Sequence, residues 1–263
     1  MTPEARSAEG VIPERLARFG FLARGIVYLL IGGIAARVAI LQRGRATGPA
    51  GALARILTGT GGRLVLWIVV AGLFAFVLFR VTQSVRTRRP LLLVGYAGSA
   101  IGGLVLAVTA LRVLLHFGSG GGEAGLHDLG ARILSHAGGR VALGLGGAIA
   151  AVAGGVQAVR ALLGKLPADF TAAILPRAPQ KWASALARVG VFAHGVVVVV
   201  IGYSIFRTGL HANPHELAGT SGALRTVQAG GGGPTPFALV AAGLIAYGVS
   251  LLVLAASRRR GSR

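Results

Sequence analysis

Five basic side chains set inside apolar sequence are the residues of this chain whose type and spacing could do chemistry. Arg37, Arg112 and Arg207 each lie near the end of a long apolar run, and Arg24 and His194 lie deeper within two of the same runs. An ionisable group at membrane depth marks a solute, ion or proton path unless something structural explains it. For the three end-of-run arginines two readings stand. Each can anchor its own helix, since a cation is favourable near a helix C-terminus and a guanidinium on a long stem reaches the headgroups. Alternatively the three form a ring that contacts an anion or a lipid headgroup. Arg24 and His194 are a candidate intramembrane polar site. Their simpler reading gives His194 a hydrogen-bonded packing role and lets Arg24 snorkel to the inner surface. Arg80 and Arg160 read as anchors at inner helix ends.

Other chemistry is thinly supported. His211-x-x-x-His215-Glu216 has the spacing of two metal ligands on a helix, but Pro214 stands between them and disfavours that helix. His116, His127 and His136 form a loose second set. A haem held between helices wants paired in-span histidines, and His194 is alone there. Without cysteine the chain has no thiol nucleophile and no disulfide framework. No G-x-S-x-G occurs, and the glycine run at 118–122 lacks the lysine of a phosphate-binding loop. Glu4, Glu9, Glu14, Glu123, Asp128, Asp169 and Glu216 all fall outside the apolar runs, so the carboxylate relay of a proton-coupled carrier is missing. The expectation is no catalytic residue, no metal, no cofactor and no enzymatic activity.

The elements that must position these residues are membrane helices. Of 263 residues 54% are hydrophobic and 13% charged, where a soluble domain is nearer a quarter charged. Six stretches are long enough to cross a bilayer, which takes about 20 residues of helix: 19–41, 64–85, 91–115, 141–163, 189–210 and 237–256. The net charge of +20 suits basic span ends better than nucleic acid, because no nucleic-acid-binding motif accompanies it. With the N-terminus inside, fourteen Lys and Arg fall on inner segments and seven on outer ones. That bias predicts cytoplasmic termini, in a multi-pass protein of the bacterial inner membrane that meets anionic headgroups there.

The chain also repeats itself. Ala17, Gly20, Ala23, Gly25, Ile31, Gly32 and Arg37 recur, at constant offset, as Ala187, Gly190, Ala193, Gly195, Ile201, Gly202 and Arg207. In a weaker middle copy Gly95, Ala100, Ala107 and Arg112 stand for Gly20, Gly25, Gly32 and Arg37. The second halves repeat as GALARIL at 51–57 against GALRTV at 222–227, and as Ala71-Gly72-Leu73 against Ala242-Gly243-Leu244. The predicted fold is an all-α bundle of six transmembrane helices built from three tandem hairpins. Its parts are a cytoplasmic tail 1–15, repeat one at 16–86, repeat two at 91–163, a proline-containing linker 164–185, repeat three at 186–257 and a basic tail 258–263. Gly25 and Gly32, Ala100 and Ala107, and Gly195 and Gly202 are each two turns apart, so each pair shares a face. Small residues let helices approach closely in lipid, and these six are expected to be helix-packing positions. Gly98-x-x-x-Gly102 adds an expected close contact in the third span. The loops carry short amphipathic pieces, with Leu53, Ile56 and Leu57 in one and Leu126, Leu129, Ile133 and Leu134 in another. These either lie in the membrane interface or pack on the bundle.

The pattern Ala-Arg-x-Gly-x-x-Ala-[Arg/His]-Gly, then a glycine seven residues on, a loop with Gly-Ala-Leu and then Ala-Gly-Leu-x-Ala-[Phe/Tyr], resembles a bacterial membrane family named domain of unknown function 1206. The resemblance runs from about residue 16 to 254 and is clear in repeats one and three. In repeat two Ser99 replaces Arg24, and Gln157 takes the place of Arg80. It implies tandem two-helix units and supplies no activity. The expected role is therefore non-enzymatic: a structural, interacting or lipid-associated module, partnered by the bilayer and by a membrane protein or a second copy, not by nucleic acid. The alternative is a channel or carrier for an anionic or amphipathic solute. A polar path lined by Arg37, Arg112 and Arg207 would favour transport, and a closed, glycine-packed centre would favour the module.

Overall fold

In lipid, a helix is the way a single apolar segment satisfies its own peptide groups, and the computed structural model is built that way. It describes residues 3–41, 47–87, 90–115, 121–167, 170, 181–230 and 234–257. In chain order these form α1 (Pro3–Leu41), α2 (Pro49–Leu57), α3 (Gly62–Arg86), α4 (Pro90–Leu115), α5 (Gly121–Leu134), α6 (Gly139–Leu162), α7 (Lys181–His211), a 3-10 turn (Pro214–Glu216), α8 (Thr220–Ala229) and α9 (Pro234–Ser257), with no strand among the described residues. Helices α1, α3, α4, α6, α7 and α9 are long and apolar enough to cross a membrane. Most of the linker at 164–185, the basic tail at 258–263 and residues 118–120 of the glycine run lie outside the described residues.

Two helices start earlier than the apolar runs suggest. Helix α1 begins at Pro3, inside the expected tail. Helix α7 begins at Lys181, because Ala183 and Ala187 are buried against a cluster containing Phe21, Phe79 and Phe170. Arg188 does not interrupt this helix. Its Nε donates to the Ala161 carbonyl at 3.1 Å and its Nη2 to the Leu162 carbonyl at 2.7 Å, satisfying the free C-terminal end of α6. Arg140 does the same for α7, with Nη2 donating to the Leu210 carbonyl at 2.9 Å.

The helices pack in the order α6, α7, α9, α1, α3, α4, each against the next. The two at the ends, α4 and α6, share no packed interface, so the bundle is open between them. Around the outside Leu64, Ile101, Val141, Ile149, Val152 and Leu239 are exposed, the surface lipid would cover. Helices α2 and α8 pack on the bundle, whereas Leu129 of α5 is exposed. Ala52 and Leu53 of α2, and Ala223 and Leu224 of α8, have no exposed surface, and the Gly48 amide ties the two ends together by donating to Ser221 Oγ at 3.0 Å. The turns into α3 and α6 each require glycine: Gly61 (φ 75°) and Gly138 (φ 84°) are left-handed.

Candidate functional site

The six small residues lie where helices approach. A Cβ on Gly25 would meet the Gly248 carbonyl oxygen at 3.1 Å, and one on Gly32 would meet the Ile245 nitrogen at 2.8 Å, both in α9. On α7, a Cβ at Gly195 would lie 2.9 Å from the Ala158 nitrogen, and one at Gly202 would lie 2.7 Å from Ala151 Cα, both in α6. Ala100 and Ala107 are buried in α4. The expected tight contact at Gly98 and Gly102 is absent. Both are exposed with nothing near a built Cβ, and it is Gly103, one position on, that faces Phe76. The glycine pair at 98 and 102 lies on the open side of α4, where no helix follows.

The three end-of-run arginines occupy separate settings. Arg37 is exposed at the end of α1. Arg112 lies over α5, its Nη1 2.6 Å from where a Gly125 Cβ would stand. Arg207 Nε pairs with Glu216 Oε2 at 3.2 Å, and the same carboxylate meets His211 Nδ1 at 2.9 Å. Of the loop histidines, His127 and His215 meet edge to face at 5.3 Å. Among the described residues no three His, Asp or Glu side chains come together to hold a metal.

The polar residues inside the spans converge instead. Arg24 is buried in α1, about 15 Å along the axis from Glu14 at 1.5 Å per residue. Snorkelling is therefore excluded as its setting: its head is covered by neighbouring helices, with the guanidinium carbon 4.7 Å from the Phe76 ring centre and 5.6 Å from that of Tyr28. Arg24 Nη1 reaches Ser99 Oγ in α4 at 3.5 Å, while Nε has no hydrogen-bond partner. Arg80 is not an exposed anchor either. It is buried in α3, hydrogen-bonded to Gln83 Oε1 at 2.7 Å and lying against the rings of Phe21, Phe76 and Tyr96. Aromatic faces attract a cation, by about 2 kcal/mol when desolvated. Arg160 is exposed.

His194, in α7, is held at both nitrogens. Gln157 Nε2 of α6 lies 3.2 Å from the Val191 carbonyl and 2.9 Å from His194 Nδ1. The carbonyl fixes the amide with its NH2 group pointing in, so Nδ1 is the acceptor and the ring proton is on Nε2. That N–H is donated to Tyr28 Oη at 3.0 Å. Tyr247 of α9 stacks on the imidazole at 4.4 Å, and Tyr28 meets Tyr247 edge to face at 4.9 Å. The result is a desolvated layer rich in donors. Arg24 Nε–H has no protein acceptor among the described residues, and no Asp or Glu lies in the spans beyond Glu14 at the first residue of the first.

Sequence reasoning singled out Arg24 and His194 and missed Tyr28, Gln157 and Tyr247. Tyrosine in an apolar run reads as packing. The one signal was Gln157, a polar residue in the middle copy at the repeat position of Arg80.

Comparison with known proteins agrees with the first and third copies of the repeat. The family model described as Domain of Unknown Function (DUF1206) matches residues 19–87 and 189–258. A Bacillus subtilis (strain 168) protein named "Uncharacterized protein YxxB" is 28% identical over 244 residues, covering 90% of this chain and 88% of that one. No solved structure matches.

Proposed function

The chain belongs to the DUF1206 family, and from that footing we propose that it is a non-enzymatic, lipid-associated module of the bacterial inner membrane, with both termini cytoplasmic. Its six spans are three tandem hairpins, α1–α3, α4–α6 and α7–α9, arranged about one axis. The observation that carries this reading is the meeting of repeat-equivalent residues at the centre. Arg24, Ser99 and His194 hold the same repeat position in α1, α4 and α7, and they are joined through the Arg24–Ser99 and Tyr28–His194 contacts. In repeat one the even span places Phe76 against Arg24; in repeat three it places Tyr247 against His194. Gly20 and Gly190 admit these two crossings, since a Cβ at either would strike the backbone at Phe76 or Tyr247.

Rings and glycine-tight contacts thus pack at the axis, which supports a module over a pore. Arg37, Arg112 and Arg207 act as separate contacts to anionic headgroups at the loop-helix end. A partner membrane protein or a second copy would pack on the exposed apolar flank of α6. The alternative, a channel or carrier for an anionic or amphipathic solute, draws its support from the buried Arg24. Vesicles loaded with chloride or with phosphate separate the two. Reconstituted protein should release neither faster than protein-free vesicles, and release that is lost in Arg24→Gln would put the carrier first.

A further inference from the structure

The middle repeat departs from its two neighbours at one place. Where repeats one and three pair a glycine, a polar residue and a ring (Gly20, Arg24 and Phe76; Gly190, His194 and Tyr247), repeat two has Gly95, Ser99 and, four residues before Gln157, Ala153. No ring fills its share of the centre, and it is between the two helices of this repeat, α4 and α6, that the bundle is open. The walls of the opening are small. Gly95 and Gly102 share a face with Ser99, at one turn to either side, and both look onto open space. On α6, Ala153, Ala150 and Gly146 follow the face of Gln157, and Gly146 too has nothing near it. Ser99 and Gln157 are half-buried at the lips, and behind them lies Arg24, 7% exposed, with its Nε–H unpartnered.

We propose that the opening between α4 and α6 is an intramembrane slot for an anionic amphiphile, whose single oxyanion head, carboxylate or phosphate, is taken by Arg24 and Tyr28 and whose hydrocarbon tail lies along Gly95, Gly102, Gly146 and Ala153. A buried guanidinium without a carboxylate is unfavourable in a medium of low dielectric, and an oxyanion supplies the missing charge. It also accepts from Arg24 Nε–H, which has no partner among the described residues, and from the Tyr28 hydroxyl beside it, and charge-assisted bonds of this kind are the strong ones. The tail needs an apolar channel open to the lipid side, and glycine and alanine walls provide it. Entry from the bilayer requires no opening of the glycine-packed interfaces on the other sides of the bundle. The proposal rests on the lipid-associated reading and gives it a site and a ligand class.

The test uses the full chain in phosphatidylcholine vesicles with two photoactivatable probes, a diazirine fatty acid and a diazirine phosphatidic acid, each with its uncharged counterpart (a methyl ester and a diacylglycerol). At least one charged probe should label peptides of α4 and α6, its uncharged counterpart should not, and Arg24→Gln should cut labelling at least tenfold. Labelling by the fatty acid alone assigns a carboxylate head; labelling by phosphatidic acid alone assigns a phosphate. Gly102→Leu fills the slot from a position that touches no other helix. It keeps Arg24, so it tests the slot even where Arg24→Gln does not fold, and it should lose labelling likewise. Equal labelling by charged and uncharged probes, or unchanged labelling in Gly102→Leu, overturns the proposal. Such a failure leaves the module reading standing as long as the vesicles release no chloride or phosphate.

Discussion

Replacing Gly202 by alanine should destabilise the protein, and replacing Gly33 by alanine should not. A methyl group added at Gly202 would strike the backbone of α6, 2.7 Å from Ala151 Cα and 2.9 Å from the Ala150 carbonyl carbon. Backbone atoms cannot rotate away, so α6 and α7 must separate by roughly 1 Å along their contact. Overpacking of this kind costs about 1–3 kcal/mol. Glycine in a helix interior is itself worse than alanine by about 0.5–1 kcal/mol, which offsets part of the loss. The net expectation for Gly202→Ala is destabilisation by up to roughly 2.5 kcal/mol. Gly33 is exposed and a Cβ there meets nothing within 4 Å, so the helix term acts alone and Gly33→Ala should gain about 0.5–1 kcal/mol. Titration with SDS in mixed micelles, followed by circular dichroism, gives both values against the parent. The sign of the difference is what matters. If Gly202→Ala unfolds at or above the parent's SDS fraction while Gly33→Ala behaves as expected, the close contact of α6 and α7 is wrong, and with it the packing role of the small-residue pairs.

Tyr28→Phe strips the acceptor from the buried His194 Nε2–H and should destabilise by about 1–3 kcal/mol in the same titration; parent-like stability would mean the two side chains do not meet. Glu216→Gln removes the carboxylate facing Arg207 and His211, but that pair is a quarter to almost half exposed, so the loss should stay below about 1 kcal/mol and shrink in high salt. Ala153→Phe restores the missing ring of the middle repeat. It should occupy the opening between α4 and α6 and protect a cysteine placed at position 99 from a membrane-permeant maleimide, and undiminished modification would show that the opening lies elsewhere. Reporter fusions after Arg263 and within residues 118–122 should read cytoplasmic and external respectively, and a cytoplasmic signal from the glycine run would invert the topology.

The long apolar runs made six membrane helices legible, four of them to within a few residues at both ends, because hydrocarbon demands a fixed length of unbroken helix. The Gly25–Gly32 and Gly195–Gly202 pairs were legible as a shared face for a similar reason, helical period being enough to align them. Period could not say which neighbour each face meets. Gly98 and Gly102 have the same spacing as a packing motif and lie on the open side, since the sequence does not record that the next helix in space is missing. The anchor reading of Arg80 and the snorkelling alternative for Arg24 fail for a related cause. Distance from a span end sets whether a guanidinium can reach water, but only the packing of α1, α3 and α4 sets whether its head is covered. Arg140 and Arg188 look like surface charge in sequence; their work on the carbonyl ends of α7 and α6 appears only when two distant helix termini are brought side by side.

If the proposed three-hairpin arrangement holds, symmetry accounts for a polar cluster at the centre of this bundle, and its failure for the cluster's exposed side. On the proposed reading, three copies of one hairpin about an axis would place three equivalent positions at the middle. If all three were arginine, three cations would be forced together in a low dielectric, where their repulsion is large. The chain keeps one, Arg24, makes the second a neutral hydroxyl, Ser99, and the third an imidazole, His194, fixed as neutral by Gln157 and Tyr28. Loss of charge in the middle copy goes with loss of the ring that would have covered it, because Ser99 needs no aromatic face. The volume given up by Ala153 is not refilled by α4, whose Gly95 and Gly102 remain uncovered. On that reading, the unshared charge of Arg24 and the unfilled wall at Ala153 arise from the same divergence of one repeat.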